Sequence, residues 1–429
     1  MMQINQLDTA YERSELCQKI EPLLNYDEDC NTALIIINVW HTRQISAHHG
    51  YDVSQDILSL IANDLQVFVK EKGLLLRTAS HEFAILLQNI KNPGHCQLAL
   101  NRIMRDLDSQ SIELVNFTTK TKITAGAALY PKHALTAQHL VQNVEVAINQ
   151  AETREVSSLM YNDKMTDKIM KQLKIESELE AAIKNKTLEL WYQPKINLKD
   201  GSIYGVEALA RWNSESQGFI SPDIFIPIAE QRNFIQELTK WVLNQGFRTQ
   251  VEWKELGLDI NMAVNISGKV IDDDDFVTLV EHTRGIWNTH PSRITLEVTE
   301  TAMMQSMETS LEKLSALKSN GFQLSIDDFG TGYSSLEYFK TLPVHEIKID
   351  KSFIKNMVTN QDDYNLVEMM AGLAKSFSLD IVAEGIEDSH SMEALRKLGV
   401  QRAQGYYIAK PMPEDEFLTW AEFYLANLR

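Results

Sequence analysis

Apolar residues recur along this chain with two different periods, and the pattern changes character near residue 165. Before that point ALIIINVW (33–40) is a short apolar run with the length of a strand. VSQDILSLIANDLQVFVK (53–70) then returns apolar residues at helical spacing, and LLLRTASHEFAILLQ (74–88) follows with further apolar runs. Strand and helix alternation of this kind predicts an α/β domain over residues 1–165. From Thr166, TDKIMKQLKIESELEAAIKN sets Ile175, Leu179, Ala182 and Ile183 on one helical face without Gly or Pro, which predicts a stiff helical connector over 166–185.

From LELWYQPKINL (188–198) to the C-terminus, short apolar strands recur with helical patterns between them, the rhythm of a TIM-type (β/α)8 barrel. The strand ends read YQP (Gln193), GVEALARW (Glu207, Arg211), AVNIS (Asn265) and ITLEVTE (Glu297, Glu300). LSIDDFG (Asp327, Asp328), EIKID (Lys348), IVAEGIE (Glu384, Glu387) and AQGYYI (Gln404) complete the set. In a barrel of this type the C-terminal strand ends converge on one face, so eight polar ends together predict a site there. A single one would be read as a cap or a surface ion pair.

Composition narrows the chemistry. Of 429 residues, 41 are Lys or Arg and 59 are Asp or Glu, a net charge of −18, which argues against nucleic acid as a partner. Cys17, Cys30 and Cys96 lack ligand-like spacing, which excludes structural zinc and fits a reducing compartment. The first residues lack a basic-then-apolar signal pattern, and the longest apolar run is far short of the ~20 residues that span a bilayer. A cytoplasmic protein without membrane insertion is therefore expected.

Glu207, Glu297, Asp327, Asp328 and Glu384 would bring five carboxylates to one pocket, with Asn265 and Gln404 as neutral oxygen donors and Lys348 as the lone cation. Their mutual repulsion calls for divalent cations, and oxygen-only ligands select Mg²⁺ or Mn²⁺. Adjacent acids such as Asp327 and Asp328 let one carboxylate bridge two ions about 3.5–4 Å apart, the arrangement used for in-line displacement at phosphorus. The residues alone thus point to a two-metal phosphodiesterase.

With VEALARW, YQP, NIS, EVTE, DDFGTGYSSL, KIDKSFI, AEGIE and QGYYIAKP in this order, residues 171–429 resemble the EAL family of cyclic-di-GMP phosphodiesterases. The resemblance implies an EAL-fold barrel that hydrolyses cyclic-di-GMP to linear pGpG. It implies Glu207, Asn265, Glu297 and Asp327 as ligands of one ion, and Asp328 and Glu384 as ligands of the second, with Asp327 shared. Gln404 would support the water shell, Lys348 would position the attacking water, and Glu384 would serve as an additional proton acceptor. Gln193, Leu209 and Arg211 would hold the dinucleotide, Arg211 through phosphate. Glu300, together with Glu387, would stabilise the loop region that links the metals to the family's dimer surface, so a homodimer through the barrel is expected. A non-hydrolysing receptor or scaffold signalling through protein partners is the alternative, which loss of metal ligands would favour.

LDTAYER (7–13) and RTASHEFAILL (77–87) make the N-terminal part resemble the GGDEF diguanylate cyclase domain, with LTGLxNR and RxGGDEFxxLL as its motifs. Ala79, Ser80 and His81 stand where that family has Gly-Gly-Asp, ahead of Glu82 and Phe83. Asn38 stands for a metal-binding aspartate, Ser46 and Ala47 for an Asn-Asp pair, and Lys70 to Gly73 lack the RxxD inhibitory site. These departures imply a degenerate domain without cyclase activity, in a structural or regulatory role or docking a protein partner. His41, His48, His49 and His81 read as solvated loop residues, and Asp272 to Asp275 as a helix start favoured by the macrodipole.

Overall fold

The computed structural model describes residues 10–24, 31–40, 45–47, 50–70, 73–108, 112–114, 117–119, 122–305, 307–331 and 341–428. It divides into two compact units, residues 1–173 and 174–429. The helix Asp163–Asn185 runs through the boundary. No helix among the described residues is long and apolar enough to cross a membrane.

In the N-terminal unit β1 (Asn31–Val39), β2 (Gly73–Ala79), β3 (Glu82–Ile90), β6 (Ile123–Tyr130) and β7 (Ser158–Met160) form one sheet. Its order is β2-β3-β1-β6-β7, and a short hairpin, β4 (Ile112–Leu114) and β5 (Phe117–Thr119), stands apart. Central β1 is buried on both faces, which is why its sequence is an unbroken apolar run. Ile35, Ile37 and Phe83 share one core with the helices Tyr51–Val69 and Pro93–Asp108, through Ile57, Ile61 and Leu100. Leu34, Ile36 and Ala84 share the other with Arg13–Ile20 and Ala137–Thr153, through Leu16, Leu140 and Val144.

The C-terminal unit is a closed eight-stranded barrel. Its strands are β8 (Glu189–Asn197), β9 (Ile203–Ser214), β11 (Asn261–Asn265), β12 (Ile294–Thr299), β13 (Gln323–Phe329), β14 (Glu346–Ile349), β15 (Asp380–Ala383) and β16 (Arg402–Gln404). The short β10 (Gly218–Ile220) extends β9 as an edge hairpin. Strands β9 and β11 to β16 are parallel in sequence order, whereas β8 runs antiparallel to both neighbours, β9 and β16. This corrects the expectation of eight converging C-terminal ends. Only residues 198–202 join β8 to β9, too few for the crossover of a dozen or more residues that a parallel pair needs.

Alternation along the strands separates two environments. Leu296, Val298, Leu324, Ile326, Ile347, Ile349 and Ile381 belong to the apolar core. Their neighbours Thr295, Glu297, Ser325, Asp327, Glu346 and Lys348 turn the other way and make much of the barrel interior polar. Below the acid cluster Thr295 donates to Asn261 at 2.9 Å, and Ser325 donates to Glu346 at 3.0 Å. Arg402 bonds Glu346 as well as Asp380. Asp272 to Asp275 precede the helix Phe276–Trp287 with Asp275 at its N-cap, as the sequence implied.

Candidate active site

Glu207 lies inside β9 and is gripped by two amides. Asn265, the last residue of β11, donates to Oε1 at 2.6 Å, and Gln404, the last of β16, donates to Oε2 at 2.7 Å. The Gln404 amide also donates to Gln193 Oε1 at 2.9 Å, and Gln193 donates to the Ala409 carbonyl. Gln193 reaches this level although β8 is reversed, because it is the register partner of Glu207. Leu209 and Arg211 follow Glu207 at spacings of two and four, so they share its face of the strand. Both are half-buried.

Glu297 on β12, Asp327 on β13 and Glu207 can bring one carboxylate oxygen each within 4.8 Å of the others, and so can Asp327, Asp328 and Glu384. Two acidic triads thus share Asp327. Adjacent residues of a regular strand face opposite ways, yet Asp327 and Asp328 both belong to this cluster. The backbone resolves the conflict: Asp328 has φ +54° and the β13–β14 register slips between Ile326 and Phe329. Glu384 directly follows β15, where its amide bonds the Ile349 carbonyl. Glu300, only 3% exposed, accepts the Gly330 amide at 2.8 Å and so ties down the start of the segment that continues into 331–340. Residues 332–340, which carry most of the expected dimer signature, lie outside the described residues. Glu387 is exposed, and no described hydrogen bond or ion pair brings its side chain to this network.

The Lys348 ammonium sits among four carboxylates, at 2.7 Å from Glu384, 2.8 Å from Asp327, 2.9 Å from Glu297 and 3.5 Å from Glu207. It is not the lone cation. Lys195 on β8 is also fully enclosed and bonds Glu297 Oε1. Sequence reading passed over it, although its spacing of two from Gln193 in an otherwise apolar strand places both on the interior face.

Burial would lower the Lys348 pKa, but the surrounding carboxylates outweigh it and raise it well above its ordinary value. This lysine is a charged donor. Burial raises Glu384 to about 8 and Glu297 to about 7 despite the lysines. Glu207 is buried too, yet Lys348, Lys195 and the two amide donors hold it at about 2. Asp328 is raised by burial and by the charge of Asp327. A hard divalent cation fits this donor set: the ligands are oxygens, the carboxylates share one vertex, and the buried Gln404 Oε1 has no partner among the described residues.

The N-terminal residues assemble differently. Asn38 ends up opposite Glu82 across the β1–β3 pair, and its Oδ1 is buried without a partner among the described residues. Both oxygens of Glu82 face the Arg13 guanidinium, Oε2 at 2.9 Å, and Thr78 donates to Oε1. Arg13 also reaches Glu145. An amide thus stands at position 38, and both oxygens of Glu82 are engaged by Arg13. Ala79 closes β2, Ser80 and His81 form the turn, and Phe83 is buried in the core. Ser46 and Ala47 are helical, while His41, His48 and His49 lie outside the described residues.

Comparison with known proteins agrees with both halves. The EAL domain family matches residues 176–411, and the family of the diguanylate cyclase GGDEF domain matches 6–157. The chain is 30% identical over 393 residues to the bifunctional diguanylate cyclase/cyclic di-GMP phosphodiesterase MucR of Pseudomonas aeruginosa, covering 91% of this chain and 57% of that protein. It is 26% identical over 414 residues to the cyclic di-GMP phosphodiesterase PdeR of Escherichia coli, covering 96% and 62%. The chain spans about half the length of the curated relatives it matches. Among solved structures, the PaMucR phosphodiesterase in complex with c-di-GMP superposes with a TM-score of 0.55 at 38% identity, covering 57% of this chain and 99% of that one. The cGMP-bound EAL enzyme Bd1971 gives 0.57 at 26% identity, covering 93% and 97%. The chain belongs to the EAL domain family, with a GGDEF domain ahead of its barrel.

Proposed function

We propose that the barrel hydrolyses cyclic-di-GMP to linear pGpG with two divalent cations, Mg²⁺ or Mn²⁺. The observation that carries this reading is the pair of acidic triads sharing Asp327 at the end of the barrel. Glu207, Asn265, Glu297 and Asp327 would hold one ion, Asp327, Asp328 and Glu384 the other. When bound, the ions would acidify a water and withdraw charge from the phosphate under attack. Lys348 donates hydrogen bonds toward that water, its charge secured by its neighbours. Glu384 accepts the proton, and Gln404 orients the surrounding solvent through its free oxygen. Arg211 pairs with phosphate, and Gln193 and Leu209 seat the dinucleotide beside Glu207. Glu300 holds the Gly330 end of the adjoining segment in place.

In the same reading the GGDEF domain makes no product, because Asn38, Ala79 and Ser80 replace its chemistry and Arg13 occupies Glu82. It then serves a structural or regulatory role or docks a protein partner. The protein acts in the cytoplasm as a homodimer through the barrel. Purified protein with cyclic-di-GMP should release pGpG with Mg²⁺ or Mn²⁺ and stall with Ca²⁺, whose looser coordination misplaces the water. Glu207→Ala should abolish turnover. Binding without turnover under either ion would refute hydrolysis and leave a receptor.

A further inference from the structure

Lys195 is a buried charge to which the proposed reaction gives no part. It is 2% exposed in the middle of β8, one interior layer below Gln193. An apolar side chain of the same length would fill that space without removing an ammonium from water, so the position keeps its charge at a desolvation cost. Its Nζ bonds Glu297 Oε1, whereas Lys348 bonds Oε2 of the same carboxylate at 2.9 Å. The two lysines differ in what else they touch. Lys348 is divided among carboxylates of both acidic triads, so a cation entering the cluster competes with it. The hydrogen bond of Lys195 goes to the one Glu297 oxygen that Lys348 leaves alone.

We propose that Lys195 is a positioning residue for the metal site: it holds Glu297 Oε1 and so leaves Oε2 as the oxygen offered to a divalent cation. The inference rests on the metal-site reading above. The terminal torsion of a glutamate is soft, and a carboxylate fixed by one contact can swing. A second contact on the far oxygen removes that freedom, as partners behind metal ligands do elsewhere, where their loss costs about 10- to 100-fold in metal affinity or activity.

Charge and positioning make opposite predictions here. If Lys195 acts only as a counter-charge, its removal makes the cluster more anionic and tightens cation binding. If it positions Glu297, removal weakens binding. The test is Mn²⁺ titration of the metal-free chain, both domains included, read by the EPR signal of free Mn²⁺, for wild type, Lys195→Met and Lys195→Gln. The expected result is an affinity loss of about 10- to 100-fold in Lys195→Met, with a smaller loss in Lys195→Gln, which keeps an N–H donor. Turnover of both should fall at low Mn²⁺ and recover as Mn²⁺ is raised, with KM for cyclic-di-GMP unchanged. Wild-type or tighter Mn²⁺ binding in either folded variant overturns the proposal, and failure of both to fold would make Lys195 a folding residue and overturn it too. Wild-type protein that binds no Mn²⁺ would instead refute the site reading from which the proposal starts.

Discussion

Loading the acid cluster with a divalent cation should expel protons, by an amount fixed by the burial of two carboxyls. Glu297 is held at about 7 and Glu384 at about 8, so the metal-free cluster carries protons at neutral pH. At pH 7 these values leave about 0.5 proton on Glu297 and about 0.9 on Glu384, and filling the site should release about 1.4. The same arithmetic gives about 1.9 protons at pH 6 and about 0.1 at pH 9. Glu207, at about 2, contributes none in this range. Cation affinity should therefore climb by about 1.4 log units per pH unit near pH 7 and flatten above pH 9. Calorimetric titration with Mg²⁺ at pH 7, in two buffers of different ionisation enthalpy, measures the released protons directly. Glu384→Gln should remove about 0.9 of them. An affinity that is flat from pH 6 to 8, or heats independent of buffer, would refute the reasoning.

Folding stability without metal follows from the same groups with a definite sign. Glu297 and Glu384 hold protons more tightly folded than unfolded, where their pKa is 4.5, so their contribution is complete below 4.5 and disappears as pH rises through 7 and 8. The melting temperature of metal-free protein should drop between pH 6 and 9, and Mg²⁺ should restore it; an increase with pH contradicts this. Glu300→Gln weakens the acceptor for the Gly330 amide and should lower turnover by about 10-fold without removing a metal ligand, which kinetics at saturating Mn²⁺ would check. At Gly330, φ is +97° and an added Cβ would meet Met370 Cε at 2.4 Å, so Gly330→Ala should cost about 1–3 kcal/mol in urea unfolding. Arg13→Ala leaves the buried Glu82 carboxylate with the Thr78 hydroxyl but without its cation and should destabilise the N-terminal unit by about 1–3 kcal/mol, more than Glu145→Ala, whose ion pair with Arg13 is solvent-exposed. Equal losses in the two variants would remove the special role given to Glu82.

What the sequence could announce was the identity of the strand-end acids, because a carboxylate on an apolar run has no bland explanation when three other strands also carry one and four more carry Gln, Asn or Lys at the same place. Direction was harder. The Asp200-Gly201 pair between two apolar strands was a hairpin signal, and Gly201 does adopt φ +74°, yet the regular barrel rhythm concealed that β8 turns straight back into β9. Lys195 was legible through alternation, since an interior Gln193 obliges an interior residue two places on. Its partner was not, because Glu297 lies 102 residues away and only the closed barrel brings them together.

The Asp327-Asp328 pair shows where reading by pattern fails in principle. A regular strand would send one of the two away from the cluster, and nothing in the residue types says which. The positive φ at Asp328 that keeps both in reach is a strained choice for a side-chain-bearing residue, usually costing about 1–3 kcal/mol. Glu300 accepting the Gly330 amide just beyond is a contact that holds such a turn, and the β13–β14 register slips at the same place. The strain and the second acidic triad therefore share a cause: a backbone bent to aim consecutive carboxylates at one pocket, which is a property of the fold around Asp328 and not of Asp328 itself.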